Sequence, residues 1–149
     1  MPNLVLYYDY MITLCEAAGD YVRIHALYMD LKHADPISPD TIKTIAKYYD
    51  GDTEILARSH KKVTSKASSA WQSVKEILKN EGRCDDATAK TFGQQLAKTN
   101  EDCDFRKKVR DWSRAELRKI QNGKTPVFYD FGDLLARYEK LLLRRQQKK

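Results

Sequence analysis

Apolar residues recur along most of the chain at helical spacing, and the longest apolar stretch, interrupted only by Asp9 and Thr13, comes first. Residues 3–18 hold Leu4, Val5, Leu6, Tyr7, Tyr8, Tyr10, Met11, Ile12, Leu14 and Cys15, apolar on nearly every side, as suits a helix enclosed in a core or covered by a partner. Gly19 is expected to end it, and Asp20 to cap a second helix through about His33 that carries Val22, Ala26, Leu27, Met29 and Leu31. The two would form a hairpin. Ile37-Ser38-Pro39-Asp40 is the sharpest local signal: Ser38 as N-cap, Pro39 where no N–H is needed, Asp40 at the positive end of the dipole. That helix carries Ile42, Ile45, Ala46, Tyr48 and Tyr49 and breaks at Asp50-Gly51-Asp52. Asp52 can cap a short helix from Thr53 to about Ser59.

Lys61 to Asn80 gives the cleanest amphipathic pattern, with Val63, Ala67, Ala70, Trp71, Val74, Ile77 and Leu78 in one stripe. Trp71, in mid-stripe, is expected to be buried. After Glu81-Gly82, Asp85 or Asp86 can cap a helix to about Lys98, and Asp104 opens another, Phe105–Gln121, which Gly123 ends. Thr125-Pro126 repeats the cap-then-proline signal of a helix start, although Val127 to Gly132 is apolar enough to lie extended on a core. A last helix runs from Asp133 to about Arg145, and residues 144–149 form a basic tail. The reading is an all-α, single-domain bundle of six or seven helices over residues 1–143, with a possible seam near 81–86.

Composition sharpens this picture. The 149 residues are 42% hydrophobic and 32% charged, with six Gly and four Pro, which fits a globular helical chain and neither a disordered nor a collagen-like one. The first apolar stretch is too short for a membrane span and lacks the basic lead of a signal peptide, so the chain is expected to be intracellular, cytoplasmic or nuclear, without a membrane partner. Three cysteines, Cys15, Cys84 and Cys103, match no disulfide or zinc framework and read as reduced thiols. The formal charge of +6 is unevenly placed: residues 1–60 carry five Lys/Arg against nine Asp/Glu, and residues 61–149 carry 22 against 12.

No chemistry-bearing motif emerges. His25, His33 and His60 have no paired or HExxH spacing, Asp50, Asp52 and Glu54 lack the calcium-loop pattern, and the glycines are isolated rather than phosphate-cradling. Glu101, Asp102 and Asp104 beside Cys103 read as a capping cluster. No catalytic residue, metal or other cofactor is therefore assigned.

Binding is left. Leu27 and Leu31, then Ile37-Ser38, Thr44-Ile45-Ala46, Glu54-Ile55, and Val63, Ala67, Trp71 and Leu78 follow one another in an order that resembles the TFIIS N-terminal (LW) domain over residues 24–78. The resemblance departs from the family at Ala46, where Gly is usual, and at Gln72, and it does not extend past Gly82. It implies a compact right-handed bundle around Trp71 and a non-catalytic transcription or chromatin scaffold in the nucleus. Its partner would be a short disordered motif, acidic and hydrophobic. A receiving groove is expected where Tyr48 and Tyr49 give one wall, Ile55 the floor, and Lys61, Lys62 and Lys66 a cationic rim. The alternative is nucleic-acid binding, DNA or RNA, by Lys107, Arg110, Arg114 and Arg118 on one helix face together with Arg144 and Arg145. A homodimer through the apolar N-terminal helix is a third possibility.

Overall fold

The computed structural model describes residues 2–99 and 103–148, which form six helices and, among the described residues, no strand. They are α1 (Leu4–His33), α2 (Pro39–Tyr48), α3 (Thr53–Asn80), α4 (Asp86–Leu96), α5 (Asp104–Gln121) and α6 (Phe131–Gln147). Glu101 and Asp102 of the expected capping cluster lie outside the described residues. The all-α bundle is as the sequence reads.

Two expected breaks are absent. Gly19 does not end a helix; α1 runs unbroken for 30 residues. Asp20 caps nothing and pairs loosely with Arg23 at 3.7 Å. A mid-helix glycine costs about 1 kcal/mol relative to alanine, which packing on both sides of it outweighs, and a Cβ at Gly19 would meet Arg106 Nε at 3.6 Å. Likewise α3 runs through Ser59 and His60 for 28 residues. The hairpin expected within residues 3–33 is instead the pair α1 and α3, antiparallel along their length.

Two of the predicted side-chain caps form. Asp52 Oδ1 accepts from the Glu54 N–H at 2.9 Å, and Asp85 Oδ2 accepts from the Thr88 N–H at 3.0 Å. Ser38 stands at the N-cap of α2 without a side-chain cap bond; its own N–H donates to Asp30 Oδ2 at 3.3 Å. The last helix begins earlier than Asp133, because Asp130 and Asp133 cap it reciprocally, each carboxylate accepting the other's N–H. It also runs on through Gln147, with Arg145 bonded to Asp104 at 2.8 Å.

Helix α1 is the axis. Its N-terminal half packs with the end of α3 and with α4, α5 and α6 in a head, whose core includes Tyr7, Tyr8, Met11, Leu14, Val74, Leu78, Phe92, Phe105, Val109, Phe131 and Leu134. This core draws on both sides of the 81–86 turn. Its centre is aromatic: Phe92 stacks on Phe131 at 4.4 Å and meets Phe105 edge-on at 5.3 Å. The C-terminal half of α1 extends with α2 and the start of α3 as an arm, holding a smaller core of Ile24, Ile45 and Leu56 backed by Leu27, Leu31, Tyr49 and Val63. Within residues 24–78 lie the last turns of α1, all of α2 and most of α3, with Trp71 packed in the head, far from α2. The resemblance implies a compact bundle centred on Trp71, whereas Trp71 here lies at the edge of the head core.

The 122–130 connector lies extended on the head, as its apolar sequence suggests. Tyr7 Oη donates to Tyr129 O at 2.6 Å, and Tyr8 Oη donates to Val127 O while accepting from the Tyr129 N–H at 3.0 Å. The Val127 N–H donates to Glu116 Oε1 at 2.8 Å. Glu116 is buried and also paired with Lys119 at 2.9 Å.

Candidate protein-interaction site

The expected groove at Tyr48 and Tyr49 does not assemble as one wall. Consecutive helical residues point about 100° apart, and here Tyr48 is 66% exposed with Lys47 over its ring while Tyr49 packs on the arm core. The floor of that core is Leu56 rather than the half-buried Ile55. Lys61, Lys62 and Lys66 are exposed along α3.

The basic row on α5 is interleaved with carboxylates. Lys107, Arg110, Arg114 and Arg118 share a face, but Arg114 pairs with Glu16 of α1 at 3.0 Å and Arg110 with Asp111 at 3.3 Å. Arg144 and Arg145 end α6, and Arg145 is held by Asp104. A phosphate backbone would have to displace these carboxylates, each a local charge of the wrong sign.

The apolar residues in the first half of α1 are largely consumed by its own head; Val5 and Leu6, each 44% exposed, are what that half leaves for a second copy. No helix among the described residues is long and apolar enough to cross a membrane. No group of three or more His, Cys, Asp or Glu among them is placed to hold a metal ion. Burial pushes the Cys15 thiol up to about 12, so it stays protonated at neutral pH.

A different concavity stands out at the junction of head and arm. An apolar cleft of about 230 Å³ opens between α3 and α4 over α1, lined by Leu14, Ala18, Tyr21, Ala67, Ser68, Trp71, Gly93, Leu96 and Ala97. Small side chains at Ala18, Ala67, Gly93 and Ala97 make the space. Trp71, expected to be buried, is only partly so. Its ring lies on Phe131 at 5.1 Å, and its outer edge faces Gly93, where an added Cβ would stand 3.5 Å from Cη2.

The surroundings of the cleft are cationic. The Lys75 ammonium sits 5.6 Å from the Trp71 ring centre. Lys66 precedes Ala67, Lys98 follows Ala97, and Lys90 lies one turn before Gly93, all three exposed. No carboxylate occurs from Ile55 to Lys75 or from Ala87 to Thr99. Of the α1 acids, the two closest in sequence to the cleft residues Leu14, Ala18 and Tyr21 pair elsewhere, Glu16 with Arg114 and Asp20 with Arg23. The α4 side of this site was missed in the sequence; those two carboxylate-free stretches are the signal that could have found it.

Compared with known proteins, the chain matches no family model, no curated protein sequence and no solved structure.

Proposed function

We propose that the protein is a non-catalytic interaction module that receives one large apolar side chain of a short, acidic, otherwise unstructured partner segment in the Trp71 cleft. The supporting observation is an apolar cleft flanked along both α3 and α4 by lysines without a single intervening carboxylate. A Phe or Leu inserted there would cover the Trp71 edge and the alanine floor, and acids on either side of it would lie near Lys66, Lys75, Lys90 and Lys98. Such segments lose conformational freedom on binding, which holds affinity to the micromolar range. A role in transcription or chromatin, in the nucleus, belongs to the same proposal and rests on the sequence resemblance alone.

Titrating an acidic peptide that contains one Phe, while recording amide shifts, tests the reading. Shifts are expected at residues 14–21, 64–75 and 90–98. Filling the cleft by Ala67→Leu should weaken binding about tenfold, the loss of roughly 1.4 kcal/mol of apolar contact, with the melting temperature held or raised. Reversing charge by Lys66→Glu and Lys90→Glu should weaken it further and flatten its salt dependence. Shifts confined to residues 105–148, or binding indifferent to Ala67→Leu, would refute the cleft and return attention to the basic half, where nucleic acid is the probe to try.

A further inference from the structure

The wall of the cleft nearest the arm is Tyr21, and Tyr21 belongs to a second cluster. Its ring stacks on His25 at 4.9 Å with planes 17° apart. His25 Nδ1 lies 3.0 Å from His60 Nε2 across the α1–α3 interface. Tyr28 stacks on the His60 ring at 4.3 Å, 7° from parallel. The four rings form a continuous column that ties the two long helices together at the root of the arm.

A nitrogen-to-nitrogen hydrogen bond holds one proton between two rings, so one nitrogen of the pair must offer a lone pair. A first added proton can sit on an outer nitrogen and leave the bond in place, strengthened by charge. A second added proton removes that tolerance: two imidazolium rings face each other at hydrogen-bond distance as like charges. The tyrosines on either side restrict the rings from turning away. The neighbouring groups do not relieve this repulsion. On the α1 side the column's own Tyr28 carries the Lys32 ammonium 5.5 Å from its ring centre. On α3, Lys61 follows His60 in the chain, and the Thr64 hydroxyl is committed to the His60 carbonyl at 2.7 Å. Tyr49, after α2, packs on the arm core, its hydroxyl pushed up by burial and then by Asp20, the carboxylate that pairs with Arg23.

We propose that the His25–His60 pair is a proton-operated latch on the Trp71 cleft: closed near neutral pH, and opened in mild acid by full protonation, which releases Tyr21 from its stack and dismantles that wall. This rests on the cleft being the binding site. Burial, and then the charge of His25, hold His60 below its ordinary value. The sign follows from linkage. The unfolded or opened chain takes up the proton first as pH falls below about 6.5, so the latch contributes fully above that pH and is lost as pH falls toward and through the depressed value.

Added positive charge alone would tighten binding of an acidic peptide as pH falls, whereas the latch weakens it, so the direction discriminates. Amide hydrogen exchange of the full chain, corrected for its intrinsic pH dependence, is expected to show residues 18–28 and 57–67 losing protection about tenfold between about pH 7.5 and pH 5, while α5 and α6 keep theirs. Affinity for the acidic Phe peptide should fall by a similar factor. His60→Gln keeps a hydrogen-bond partner for His25 without titrating, and should abolish both pH effects; His25→Gln serves the same purpose if the first variant folds poorly. Unchanged protection in the wild-type chain, or affinity that rises in acid, overturns the latch. Protection lost as expected, with no peptide bound at any pH, supports the latch and refutes the peptide reading instead.

Discussion

Phe92→Ala is expected to lower the unfolding free energy by about 3–5 kcal/mol, a large share of the roughly 5–15 kcal/mol that holds a domain of this kind together. The ring is fully buried and touches three others, Phe131, Phe105 and Trp71. With Phe92 itself the four rings come from α3, α4, α5 and α6, so its removal leaves a cavity that no single helix can collapse into. Urea unfolding followed by circular dichroism measures the loss. A change below about 1 kcal/mol would mean that the head is not centred on Phe92. Trp71→Ala should cost less, since the indole is open at its cleft edge, yet it should abolish peptide binding. The ordering of the two variants therefore separates the core from the site.

Glu116→Ala is expected to cost about 2–3 kcal/mol, because it leaves the Val127 N–H without its acceptor and frees Lys119. The carboxylate is buried, whereas Lys119 is 38% exposed, and solvent screening places the ion pair at the weak end of its range. The hydrogen bond to the connector is thus the larger part. Glu116→Gln, whose amide oxygen can still accept from Val127, should recover more than half of the loss, and amide exchange at Val127 should return with it. A glutamine variant as unstable as the alanine one would assign the effect to charge.

The helix starts were legible because they are chemical and local: Asp52 and Asp85 cap as their sequences suggest. The ends that the sequence suggests at Gly19 and Ser59 do not form, because they are decided elsewhere in the chain. Gly19 reads as a stop only if nothing packs beside it, and Arg106, 87 positions later, lies against it. Trp71 was placed correctly on its stripe, but a periodic pattern cannot tell the middle of a buried face from its rim. The cleft requires α1, α3 and α4 together, and the His25–His60 pair joins residues 35 apart with no motif spacing between them. Both arise from the antiparallel register of α1 and α3, which follows only once α1 is known to be one helix.

That same register sets an order of assembly during synthesis. The arm core is complete by Val63, so it can form before α4, α5 and α6 have emerged. The head cannot: Tyr7 and Tyr8 wait for carbonyls at Tyr129 and Val127, 122 and 119 residues downstream. Closing loops of that length is slow, and until it happens the most apolar segment of the chain, the first half of α1, stays uncovered at the ribosome. Chaperone engagement of the nascent chain should accordingly persist until α6 has emerged, and a chain cut off before residue 122 should be retained by chaperones with its arm already folded.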